Sequence, residues 1–99
     1  MGNEDKSTYE QKMEARLREL DAEMELLQAK ADRLEADAQK QSKTLLDDLE
    51  EQRDAVAQRL QNYRESAGSA IDEIRQGLEG AVQEFADGVR RASDRFEGK

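Results

Sequence analysis

The spacing of the apolar residues changes near Leu45, and that change constrains the chain more than any single motif. Before it they recur in alternating steps of four and three; from Leu45 to Phe96 they recur in steps of four, four and three, an eleven-residue period. Three columns carry the later pattern: Leu49, Leu60, Ile71 and Val82; Gln52, Tyr63, Ile74, Phe85 and Phe96; and Leu45, Val56, Ala67, Leu78 and Val89. Eleven residues in three turns is about 3.67 per turn, so this stripe runs almost straight along an α-helix. A face of that kind meets a partner helix or lies flat on an apolar or lipid surface.

Composition narrows the choice. The 99 residues amount to one domain at most, with 40% charged and 35% apolar residues, four aromatics, and no Pro, Cys, His or Trp. High charge and low hydrophobicity can mean disorder, but here the charges are interleaved with a periodic apolar stripe that disorder does not require. The expectation is an all-α, elongated protein.

A net charge of −8 argues against nucleic-acid binding, which needs clustered Lys and Arg to neutralise phosphate. It also weakens attachment to anionic lipid. No apolar run approaches the roughly 18 to 20 residues of a membrane span, and Met1–Lys6 lacks the apolar core of a signal peptide. Gly2 follows Met1 as in a myristoylation site, but Lys6 stands where Ser or Thr is required. The expected location is the cytoplasm. Without cysteine there is neither disulfide nor thiolate chemistry, which leaves the redox compartment open.

The polar residues 1–6 read as a flexible arm. Ser7 and Glu10 have the spacing of a capping box, and from there to Tyr63 the chain lacks Pro and Gly and is rich in strong helix formers. One helix over 7–64 would be about 85 Å long at 1.5 Å per residue, so it needs partners along its length. With Leu17 at position a of a heptad, the a residues are Leu17, Met24, Ala31, Ala38 and Leu45, and the d residues are Met13, Leu20, Leu27, Leu34 and Gln41. Nine of these ten are apolar, which predicts a coiled-coil seam. Arg16 and Lys30 at g have the offset to Asp21 and Glu35 at e that suits interchain pairs in a parallel dimer, a weak preference because exposed ion pairs contribute only about 0 to 1 kcal/mol. Ala31 and Ala38 thin the seam and Gln41 puts a polar group into it, so antiparallel packing stays open. The four-residue step from Leu45 to Leu49 is a stutter that relaxes the supercoil.

Residues 65–69 hold the expected hinge or bend. Gly68 can end a helix in the left-handed conformation, and Ser69 with Asp72 repeats the capping-box spacing. The eleven-residue columns nevertheless keep phase through Val56, Ala67 and Leu78, as a continuous helix would require. Beyond the hinge, 70–97 reads as an amphipathic C-terminal helix with β-branched and aromatic anchors and with Gly77, Gly80 and Gly88. Large anchors joined to poor helix propensity imply dependence on contact for stability. The glycines suit either close helix packing or flexibility. The fold expected is therefore a long heptad-to-hendecad helix over about 7–64 and a shorter amphipathic helix over about 69–96, forming a coiled coil or helical bundle by oligomerisation.

No catalytic, cofactor-binding or metal-binding residue is assigned. Without His or Cys there is no familiar pairing of nucleophile and base. Asp47, Glu50, Glu51 and Asp54 share a helical face with Asp48 beside them, but they lack the loop of a calcium site and read as a solvated acidic face. Ala15, Ala22, Ala29 and Ala36, all opposite the seam, read as helix filling or as a second, narrow contact face. Arg90, Arg91 and Arg95 suit a helix C-terminus. The candidate functional residues are apolar: an oligomer interface of Met13, Leu17, Leu20, Met24, Leu27, Leu34, Leu45, Leu49, Val56, Leu60 and Tyr63, and a C-terminal face of Ile71, Ile74, Leu78, Val82, Phe85, Val89 and Phe96.

The stretches Tyr-Glu-Gln-Lys-Met-Glu-Ala-Arg-Leu (9–17), Leu-Gln-Ala-Lys-Ala-Asp (27–32), Glu-Ala-Asp-Ala (35–38), Ala-Ile-Asp-Glu-Ile-Arg-Gln-Gly-Leu-Glu (70–79) and Ala-Ser-Asp-Arg-Phe (92–96) resemble a family of small bacterial coiled-coil-domain stress-response proteins. Members of that family often carry Trp in the final segment where this chain has Ile71 and Val82. The resemblance implies a cytoplasmic, non-enzymatic helical protein linked to stress, with no established ligand.

Three functions then compete ahead of catalysis. The first is a homo-oligomeric scaffold or assembly protein. The second is a peripheral coat on lipid or an apolar granule, similar in design to apolipoproteins and phasins. The third is a protectant that folds on dehydration or crowding. Acidic flanks on the stripe and a good seam in the first half favour self-association, with 70–96 shared between a helical protein partner and a lipid surface. No nucleic acid or small-molecule substrate is expected.

Overall fold

A computed structural model describes residues 5–97, so the first four positions of the expected arm lie outside the described residues. The described residues form three helices: α1 (Lys6–Ala31), α2 (Ala36–Glu65) and α3 (Ile71–Glu97), with a short 3₁₀ turn, Gly68–Ala70, leading into α3. The all-α expectation holds. They pack up, down and up into a rod 52 × 20 × 15 Å. Its radius of gyration, 15.8 Å, exceeds the roughly 13 Å of a rounder domain this size. No helix among the described residues is long and apolar enough to cross a membrane.

The single helix expected over 7–64 is instead two. The chain reverses at Asp32–Glu35 without Gly, Pro or positive φ, which is why composition does not announce it. Backbone N–H groups of Asp32, Arg33 and Leu34 bond back to Gln28, Lys30 and Ala31. Glu35 is extended, with φ −66° and ψ 159°. The Gln39 side-chain amide donates to the Asp32 carbonyl at 2.9 Å, bracing the turn from the far side. Helix propensity of a few tenths of a kcal/mol per residue is overridden by the burial that folding back allows.

Helix starts also differ from the capping-box reading. α1 begins at Lys6, one residue before Ser7, and no side-chain cap bond is made by Asp5. Ser69 lies inside the 3₁₀ turn, so it does not cap α3 as expected. A second reversal falls at the residues read as a hinge or bend, and it is a full turn where the unbroken phase of the columns suggested a mild one. Gly68 has φ +74°, a conformation that costs an L side chain about 1 kcal/mol or more.

One apolar core runs through all three helices. Phe85, Leu20, Leu49, Leu78, Val56 and Val89 are its largest fully buried members. On α2 the buried face also takes Ser42 and Leu46, while Gln41 is exposed and Leu45 half-buried. The core-facing side has therefore turned by about one residue from the heptad register at the start of α2.

Candidate functional site

The residues expected to form an oligomer interface lie largely inside the single chain. Leu20, Met24, Leu27, Leu49, Val56, Leu60 and Tyr63 are buried, and Met13, Leu17 and Leu45 are half-buried against the same core. Leu78, Val82, Phe85 and Val89 of the C-terminal face are buried in it too, and Ile71, Ile74 and Phe96 are half-buried. The heptad stripe of α1 and the columns of α2 and α3 thus face one another. Ala67, a member of the third column, is exposed in the turn.

Two glycines show how close α2 and α3 come. A Cβ on Gly88 would lie 2.7 Å from Leu49 Cδ2 and 3.0 Å from Gln52 Oε1. At Gly77 it would lie 2.9 Å from Arg59 Nη1, the movable end of a long side chain. Gly80 faces open space. Of the two readings for these residues, close packing applies at Gly88.

Polar residues bind the faces together at chosen points. Arg53 of α2 makes a bidentate pair with Asp21 of α1, Nε to Oδ1 at 2.9 Å and Nη2 to Oδ2 at 3.1 Å. Asp21, expected to suit Arg16 of another chain, is thereby engaged within its own. The hydrogen bonds to Asp21 hold the Arg53 guanidinium above its ordinary pKa. Gln52, on α2 across from Gly88, has a buried Oε1 without a hydrogen-bond partner.

The two ends of the rod are chemically unlike. At one, Tyr9 and Tyr63 stack obliquely, centroids 5.0 Å apart and planes at 56°. The Tyr9 hydroxyl donates to Glu79 Oε2 at 2.9 Å, and the Arg75 guanidinium lies 4.2 Å over the Tyr9 ring. Burial, then the bond to Glu79, pushes the Tyr9 phenol well above its ordinary value. Lys6 Nζ donates to the carbonyls of Arg64 at 2.8 Å and Ser66 at 2.6 Å, closing the end of α2. Arg64 pairs with Glu10 and Glu14. Lys6, read from sequence as part of a loose arm, is therefore a structural anchor.

At the other end the core thins. Leu34, Ala38, Gln41, Ser42 and Leu45 face Asp94, Arg95 and Phe96 across a cleft of about 500 Å³. Ser42 is 5% exposed and a polar member of the buried set. Spacing does reveal some residues that the sequence reading left out of the apolar faces: Tyr9 lies four before Met13, Leu46 three before Leu49, and Ala92 three after Val89. Ser42 carries no such signal, being polar.

On the surface, Asp47, Asp48, Glu50, Glu51 and Asp54 are exposed. Among the described residues no group of three or more metal-ligating side chains converges on one point. Ala15, Ala22 and Ala29 are exposed on α1 beside Leu26, itself 63% exposed. No protein-family model, curated protein or solved structure matches the chain.

Proposed function

We propose that this chain is a non-enzymatic helical scaffold or assembly protein of the cytoplasm, self-associating through its apolar helical stripe. A link to stress rests on the family resemblance alone. The observation that carries the reading is the fit of the α2 and α3 faces: side chains of α2 pack onto the α3 backbone at Gly88, where a Cβ would lie 2.7 Å from Leu49 Cδ2. A face used to coat lipid needs large anchors and gains nothing from such a notch; a face that receives another helix needs it. The negative net charge points the same way.

Sedimentation velocity of the full chain, with circular dichroism, tests the reading. The expected result is a helical protein whose average mass rises with concentration in buffer alone. A strictly monomeric species at tens of micromolar, a range in which weak association is visible by mass action, would sink it. Recruitment to phosphatidylcholine vesicles with a gain of helicity, absent in buffer, would transfer the assignment to the lipid-coating alternative.

A further inference from the structure

The residues that hold α2 against α3 are also in register along a single helix drawn through the hinge. Leu60, Ile71 and Val82, and likewise Tyr63, Ile74 and Phe85, are eleven apart, and eleven residues leave a drift of only about 20° on an α-helix. Two helices joined by a turn can rotate independently, so the closed hairpin does not require this register. A straightened α2–α3 helix does. Ala67, exposed in the closed form, then falls inside its column between Val56 and Leu78.

The hinge residues themselves bury little. Residues 67–70 are exposed, and nothing lies within 4 Å of a Cβ placed on Gly68. The Arg64 and Ser66 carbonyls held by Lys6 would instead accept the N–H groups of Gly68 and Ala70 four residues on. What opening does remove is the packing of α3 on α1 and α2, and a second copy can restore it.

We propose that the α2–α3 hairpin opens at residues 66–70 into one continuous helix and exchanges α3 with a second copy of the chain. Each α3 occupies on the partner's α1–α2 pair the place it occupies on its own. The two long helices run antiparallel and cross near Ala67, where Ser66, Ala67, Gly68, Ser69 and Ala70 are small enough to let backbones approach. All α2–α3 contacts are kept, now between chains, which makes such exchange a low-cost route to a dimer. This deepens the assembly reading above and rests on it.

The decisive variant is Gly68→Ala in the full chain. It penalises the positive φ of the closed turn and favours the helix, and in the closed form the added methyl group meets nothing within 4 Å. Each effect is worth about five- to tenfold per chain, so the dimer Kd is expected to fall by roughly 1000-fold. The chain has no cysteine, so spin labels at Glu51→Cys and Glu84→Cys, both exposed positions, report the hairpin when the labelled chain is diluted with unlabelled chain. Their intrachain distance should lengthen from under about 25 Å to about 50 Å, the span of 33 helical residues. As a second variant, three glycines inserted after Gly68 should lower association and keep the short distance.

A Gly68→Ala chain that stays monomeric overturns the proposal, as does one that dimerises with the short distance retained. An insertion without effect on association overturns it as well. Wild-type association with a short distance in every species would reject the exchange while leaving the assembly reading intact; absence of association in both wild type and Gly68→Ala rejects the two together.

Discussion

Gly88 and Gly80 lie eight residues apart on α3 and make opposite demands on a methyl group. At Gly88 the Cβ would press on Leu49 Cδ2 at 2.7 Å, whereas at Gly80 it would meet nothing within 4 Å. Gly88→Ala is expected to lower stability by about 1–3 kcal/mol through overpacking, and Gly80→Ala to raise it by up to about 1 kcal/mol through helix propensity. Urea unfolding followed by circular dichroism reads both; equal effects would mean that α2 and α3 are not in close packing. Tyr9 gives the molecule a pH dependence of definite sign. Its phenol is held above the ordinary value of 10.0 by burial and by its bond to Glu79. Above about pH 10 the unfolded chain releases this proton while the folded chain keeps it, so the contribution is whole below pH 10 and is lost as pH rises toward the folded value. The wild type should therefore lose stability above pH 10 more steeply than Tyr9→Phe, and identical slopes in the two proteins would show that Tyr9 is not the source.

Between Leu49 and Val56 the apolar seam of α2 is interrupted by Gln52 and Arg53, and only one of the two is satisfied. Arg53 has Asp21 on α1, but the Gln52 Oε1 is buried without a partner. An unmet buried acceptor costs about 1–3 kcal/mol, so Gln52→Leu should raise the thermal midpoint, and a lowered midpoint would mean that an ordered water serves the amide. Although the unbroken phase of the columns argued for no more than a bend there, Gly68 was legible as the weak point of the chain, as were helix content and the apolar faces, because each has a local cause: a glycine where positive φ is needed, strong helix formers, and periodicity of four and three. The reversal at Asp32–Glu35 was not. Every residue there tolerates a helix, and the turn is selected by what it lets distant residues bury. For the same reason the stripe itself was readable while its partner was not. Leu20 or Val56 must be covered by a helix, but spacing alone does not say whether that helix belongs to the same chain. Lys6 was hidden because its role depends on carbonyls some sixty residues away.

Taken along its full length, the rod is tied at one end and loose at the other. The Tyr9 and Tyr63 end combines ring stacking, the Tyr9 bond to Glu79, the Arg75 guanidinium and the Lys6 cap of α2. The opposite end has half-buried Leu34, Ala38, Leu45 and Phe96 around a cleft of about 500 Å³. Local opening follows the density of buried contacts, so backbone amides of residues 42–45 and 92–95 should exchange with solvent about tenfold or more faster than those of 60–63. Filling the gap provides a second, independent check. Ala38→Leu adds three carbons to a wall of the cleft, and at about 0.8 kcal/mol per buried methylene the gain should reach about 1–2 kcal/mol. The same variant should slow exchange at 42–45 by about five- to thirtyfold, the factor that corresponds to its gain in stability, because the added contacts are lost both when the thin end opens and when the whole rod unfolds. Slowing at 42–45 well short of that factor would show that those amides exchange through openings that leave the cleft packed, so that the thin end does not open as a unit.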